Sequence, residues 1–175
     1  MDKVELRVRS IIFNQNQSNS FSLTLEELSG RRRLPIVIGY YEAQAIALEI
    51  EKMKASRPLT HDLFNEFAAN FNFTVTEVII YKFKEGLFYS MLICSDGTKT
   101  VEIDSRTSDA VAIALRFKCP VYTYEQIMNE AAYLHQSEED EDPIEKLVSE
   151  EDELYTYTLT ELEELLEKAI IDEDY

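Results

Sequence analysis

One pattern occurs twice in this chain, 67 residues apart. Ile36, Glu42, Ala43, Ile46, Ala47 and Leu48 are answered by Ile103, Asp109, Ala110, Ile113, Ala114 and Leu115. In each copy a short apolar strand runs into small apolar residues at helical spacing, with an acid in the first helical turn. Each half reads as three strands followed by two helices, with Pro58 or Pro120 ahead of the last one. The expected fold is therefore α+β: duplicated βββαα units related by a pseudo-twofold axis. Their mixed or antiparallel sheet carries the helices packed on it. Two such units facing each other create one groove between like ends. The helix starts at 39–42 and 106–109 are both expected to point into it.

The charge divides the chain as clearly as the repeat does. Residues 1–135 carry 15 Lys and Arg against 17 Asp and Glu, and residues 136–175 carry 2 against 17. A near-neutral domain over 1–135 is thus followed by an acidic linker at 136–157, since blocks of like charge repel and do not pack. Residues 158–175 then read as an amphipathic helix. Leu159, Leu162, Leu165, Leu166, Ala169 and Ile170 share its apolar face, and Thr160 with Glu163 fits a capping box. One such helix cannot bury that face alone, so it must pack back, pair with another copy, or dock on a protein partner. A homodimer or higher oligomer follows as an expectation. No run approaches the ~18 apolar residues of a membrane span. The N-terminus lacks the apolar block of a secretion signal. Cys94 and Cys119 have no nearby cysteine partner and read as buried thiols, so a reducing, cytoplasmic setting is expected.

Along the domain, alternation marks strands at 4–13, 21–25 and 34–38, and a helix over 41–55 with Met53 on its apolar face. A second helix spans 60–70. Strands follow at 74–84 and 87–94, joined by a tight turn at Glu85-Gly86, and a third at 98–103. Asp96-Gly97 signals a type I′ hairpin. A helix at 107–117, an extended segment at 120–122 and a helix at 123–133 complete the domain.

The polar groups able to do chemistry concentrate in two stretches. The first is Arg57-Pro-Leu-Thr-His-Asp-Leu63. Thr60 reads as the N-cap of the second helix, with Leu63, Phe64 and Phe67 as its buried stripe. Asp62 complements the positive helix end, and His61, beside the cap, faces outward or into a groove. The second stretch is Ile103-Asp-Ser-Arg-Thr-Ser-Asp-Ala110. Arg31, Arg32 and Arg33 form a basic turn suited to a nucleic-acid backbone.

Three blocks resemble the bifunctional nuclease domain of bacteria and plants. They are Leu34-Pro-Ile-x-Ile-Gly-x-x-Glu-Ala-x-x-Ile-Ala47, Arg57-Pro-x-Thr-His-Asp-Leu63, and Ile103-Asp-Ser-Arg-x-Ser-Asp-Ala-x-Ala-x-Ala-Leu-Arg116 with Pro120-Val-Tyr122. Thr107 stands where that pattern usually has proline, and a threonine there can cap the helix instead. Residues 162–175 resemble the first half of the UVR motif of excision-nuclease subunits. The family name implies hydrolysis of DNA and RNA. That chemistry wants divalent metal held by clustered carboxylates, a base and a cation. The candidates are His61, Asp62, Asp104, Arg57 and Arg106 as catalytic groups, and Asp104, Asp109 and Glu42 as ligands for Mg²⁺ or Mn²⁺. Arg106 also has a structural reading, as a salt bridge to Asp62 or Asp104 tying the halves together. The alternative function is a non-catalytic binding or assembly module in nucleic-acid repair or stress response. In it the polar cluster is structural and the tail recruits a partner.

Overall fold

The computed structural model describes residues 2–14 and 20–134. The tail segments at 136–157 and 158–175 lie outside these residues. Strands β1 (Lys3–Phe13), β2 (Ser20–Glu27) and β3 (Arg32–Gly39) form a first meander, followed by α1 (Tyr40–Ile50) and α2 (Thr60–Asn70). Strands β4 (Thr74–Lys84), β5 (Leu87–Ser95) and β6 (Thr100–Arg106) form a second, followed by α3 (Thr107–Phe117), β7 (Val121–Tyr124), α4 (Glu125–Ala131) and β8 (Tyr133–Leu134). All join one sheet in the order β6-β5-β4-β7-β1-β2-β3-β8. Strand β7 pairs antiparallel with β1 and parallel with β4, so the sheet is mixed and the class is α+β. Reading outward from β7, the meanders run β1-β2-β3 on one side and β4-β5-β6 on the other. Helices α1 and α3 start directly from the outer strands, at residues 40 and 107.

The repeated small residues explain how the helices sit. Ala43, Ala47, Ala110 and Ala114 are all buried, and side chains of that size let α1 and α3 pack closely against each other and the sheet. The Glu85-Gly86 turn adopts positive φ at both residues, as a two-residue I′ hairpin demands. Asp96-Gly97 differs from the type I′ expectation. Only Gly97 has positive φ, and Asp96 organises a longer loop by accepting the Thr98 and Lys99 amides at 2.8 and 2.7 Å.

Several local expectations are corrected. Helix α1 stops at Ile50 because Lys52 turns left-handed and the Met53 amide closes back on the Leu48 carbonyl, which leaves Met53 exposed. Helix α4 begins at Glu125, since residues 121–124 are claimed by pairing in the sheet. The N-cap of α2 is Leu59 rather than Thr60, and its amide donates to Asp62 Oδ2 at 2.8 Å. On α2 only Ala68 is fully buried and Phe64 partly so, while Leu63 and Phe67 are exposed. Thr107 is the first residue of α3, where proline is also acceptable. Its hydroxyl does not cap the helix; it pairs with buried Ser90 Oγ at 2.7 Å.

Strand β6 runs three residues past Ile103, because Ser90 pairs with Ser105 and Tyr89 with Arg106. Asp104 and Arg106 therefore stand on one face of a strand rather than in a corner. That strand is a sheet edge, and Val101 and Ile103 are exposed, so Asp104 does not emerge from a buried apolar strand.

Candidate functional site

Arg106 ends β6 and caps α3. Its Nε donates to Asp109 Oδ2 at 2.7 Å, and its Nη2 donates to Asp109 Oδ1 at 3.1 Å and to Glu42 Oε1 at 2.7 Å. Glu42 and Asp109 each occupy the first turn of their helix. One guanidinium thus bridges the starts of α1 and α3. Five strands separate β3 from β6 in the sheet, so the sheet must curl for these ends to meet. The bonds to Asp109 and the nearby Glu42 charge raise the Arg106 pKa further. Arg106 pairs with neither Asp62 nor Asp104, contrary to the structural reading from sequence. Its side chain is still 69% exposed, and Nη1 makes no hydrogen bond among the described residues.

Asp109 Oδ1 also accepts from His61 Nε2 at 3.1 Å. His61 is 12% exposed, so it does not face outward. A continuous chain, Glu42–Arg106–Asp109–His61, links α1, β6, α3 and α2.

This chain borders a groove of about 610 Å³ lined by Gly39, Glu42, Phe88, Tyr89, Asp104 and Arg106 among others. Both helix starts reach it. Neither His61 nor Asp109 lines it; Asp109 holds Arg106, and His61 holds Asp109. Asp104 is exposed at the groove and accepts from Tyr81 Oη at 3.0 Å. That bond, with Asp104's charge, raises the Tyr81 pKa and keeps the phenol a donor. Gly39 is fitted to Glu42: a Cβ there would meet Glu42 Oε2 at 2.5 Å. Between Asp104 and Arg106, Ser105 Oγ is buried with no hydrogen-bond partner.

Asp62 belongs to a second cluster. Its Oδ1 accepts from Arg116 Nε at 2.6 Å, and Arg116 Nη1 donates to the carbonyls of Ala45 and Ala112 at 3.2 and 3.0 Å. Burial works to raise the Asp62 pKa, and Arg116 with the Leu59 amide outweighs it, so the carboxyl is lowered. The cluster joins α1, α2 and α3. Arg57 is exposed and does not line the groove.

The basic turn is largely committed elsewhere. Arg32 is forked between Glu27 and Glu125, and Arg33 is buried against Glu26, which Arg7 also binds. Arg31 alone of the three remains exposed. The carboxylates expected to hold metal are occupied too: Glu42 and Asp109 by Arg106, Asp104 by Tyr81. Among the described residues no three His, Cys, Asp or Glu side chains are grouped to hold an ion.

Sequence reasoning quoted Arg116 only within a family block and gave it no role, and it passed over Tyr81 and Tyr89. Tyr89 had a usable signal: counting back from the Glu85-Gly86 turn sets it opposite Lys82. Arg116 had a weaker one, a cation in the last turn of a helix otherwise built from small apolar residues.

A model of the bifunctional nuclease domain matches residues 23–136. Two uncharacterized proteins of Mycobacterium tuberculosis, MT1877 of strain CDC 1551 / Oshkosh and Rv1829 of strain ATCC 25618 / H37Rv, are each 42% identical to this chain over 138 residues. The matches cover 79% of this chain and 82% of each relative. On the domain match and this shared length, the chain belongs to the bifunctional nuclease domain family.

Proposed function

We propose that the groove binds a nucleic-acid strand and hydrolyses its phosphodiester bonds. The observation that carries this reading is Arg106: an exposed cation with one nitrogen free among the described residues, gripped on its other side by two carboxylates and set beside Asp104. A guanidinium so oriented stabilises the charge that develops on a phosphoryl oxygen. Asp104, exposed at the groove, takes the proton of the attacking water as its oxygen bonds to phosphorus; the P–O bond to the departing strand end breaks, and that oxygen takes a proton from solvent. Glu42 and Asp109 aim Arg106, and His61 holds Asp109. Asp62 and Arg116 fix the helices and take no part in the chemistry.

Magnesium or manganese on Asp104, Asp109 and Glu42, as expected from sequence, would share carboxylates that Arg106 already binds, through both oxygens of Asp109 and one of Glu42. No step above depends on it. The two meanders are read as copies of one unit. A homo-oligomer is inferred from the exposed Leu63, Phe67 and Phe71 along α2, and a monomer in sedimentation at micromolar concentration would count against it.

The assembly reading has one observation in its favour: His61, Asp62, Asp109 and Arg116 bond to partners within the domain. Cleavage of plasmid DNA and single-stranded RNA separates the two. Purified full-length protein is assayed with Mg²⁺, with Mn²⁺ and with chelator, beside Asp104→Asn. Cutting that Asp104→Asn reduces by about 100-fold or more supports the nuclease. Cutting that it leaves intact refutes the role of Asp104, and none at all in folded protein favours assembly. Activity that survives the chelator excludes a required metal.

A further inference from the structure

The sheet beside Arg106 carries Lys82, Tyr81 and Tyr89, side chains that the hydrolytic reading does not use. Lys82 pairs with Tyr89 across β4 and β5, and Tyr89 pairs with Arg106 across β5 and β6. Directly paired residues share a face. The row therefore runs cation, aromatic ring, cation, over three strands. Lys82 Nζ stands over one face of the Tyr89 ring, 4.9 Å from its centre, and Lys82 makes no ion pair with any described residue. Tyr81, displaced by a bulge between Ile80 and Lys82, stands beside it with its ring centre 6.5 Å from that of Tyr89. Tyr89 also lines the groove, and both ring residues are only partly buried.

We infer that Tyr89, flanked by Lys82 and Arg106, is a stacking platform that admits single-stranded DNA or RNA to the groove and selects against duplex. An aromatic ring between cations suits a strand whose bases are free: the base lies on the ring face that Lys82 leaves open, and the flanking phosphates meet the charges. Bases in a duplex are stacked on each other and have no open face to give. The domain is near neutral overall, so affinity must come from a local arrangement of this kind rather than a broad basic surface. The bland role for the pair, a cross-strand contact that steadies the hairpin, makes no distinction between strand types. The inference rests on the groove being the nucleic-acid site, but not on its being catalytic.

The test is fluorescence anisotropy with full-length protein, using a labelled 12-nucleotide single strand and its blunt duplex, with probe integrity checked on a gel. Wild type is expected to bind the single strand more tightly than the duplex. Tyr89→Leu should weaken the single strand about tenfold and leave the duplex unchanged, and Tyr89→Phe should restore binding. Lys82→Gln should weaken binding and flatten its salt dependence. Unchanged single-strand affinity in folded Tyr89→Leu, or equal loss for both probes, overturns the platform. If Tyr89→Leu fails to fold, photocrosslinking of a bromouracil oligonucleotide to wild type decides. Crosslinks at Tyr89 or Tyr81 support the inference, and crosslinks only elsewhere overturn it. Tyr89-dependent binding without cleavage would refute the nuclease and leave the platform standing. Cleavage of single strand and duplex alike, indifferent to Tyr89, would do the reverse.

Discussion

Replacing Asp62 by alanine should destabilise the domain and leave the chemistry of the groove alone. Arg116 is only 4% exposed, and Asp62 is its sole carboxylate partner among the described residues. Losing a charge-assisted bond to a buried guanidinium costs about 2 kcal/mol. The ~3–5 kcal/mol of a fully buried broken pair is not reached, because Asp62 is 35% exposed and water already screens it. The Leu59 amide loses its acceptor as well, for about 1 kcal/mol. Together these give about 3 kcal/mol, or a fall in Tm of about 10 °C for a domain of this size. Asp62→Asn keeps an acceptor for Leu59 and should cost about half as much. The pH dependence has a definite sign. The folded pKa of Asp62 lies below its ordinary value of 3.8, so its contribution is complete above that value and is lost as pH falls through the folded pKa. The gap between wild type and Asp62→Asn, measured by thermal melts, should therefore be full at pH 7 and close on acidification below about pH 4. An Asp62→Ala melt matching wild type would refute the reasoning. So would unchanged stability with activity abolished, which would return Asp62 to the catalytic role read from sequence.

Three further outcomes follow from the same geometry. Gly39→Ala should melt close to wild type yet lose activity, because the new Cβ pushes Glu42 off Arg106; full activity would show that this ion pair is dispensable. Ser105→Ala should be neutral or stabilising by about 1 kcal/mol in urea titration, since it removes a buried hydroxyl without a partner. Burial raises the Cys94 pKa and pushes Cys119 up to about 11, so both are thiols at pH 8. Cys94 is buried and Cys119, expected to be so, is only partly buried; alkylation of folded protein should run about 100-fold slower than that of free cysteine, and a comparable rate at Cys94 would contradict its burial.

The strands and helices with clean periodicity were readable from the chain: β4, α2 and α3 occupy the residues that alternation and helical spacing indicate. Periodicity reports which side of an element is apolar, and Leu63 and Phe67 show that it does not report what covers that side. The site was readable as a set of residue types and not as a set of partners. Arg106 meets Glu42 only because the sheet curls, and curvature leaves no trace in the spacing of one strand. Arg32 and Arg33 looked like a binding surface because Glu27 and Glu125 lie 98 residues apart, yet both end on Arg32. Thr60 looked like a cap because it has the right side chain, but the geometry of α2 gives that place to Leu59 and lets Asp62 reach back.

The most direct test of the account is the single-turnover rate of RNA cleavage by Arg106→Gln beside His61→Asn, each confirmed as folded. The account puts Arg106 at the phosphate and His61 behind it. Arg106→Gln should then lose about 100-fold or more, and His61→Asn distinctly less, because it acts only through Asp109. Wild-type cleavage by Arg106→Gln, or a complete loss in His61→Asn alone, would contradict it.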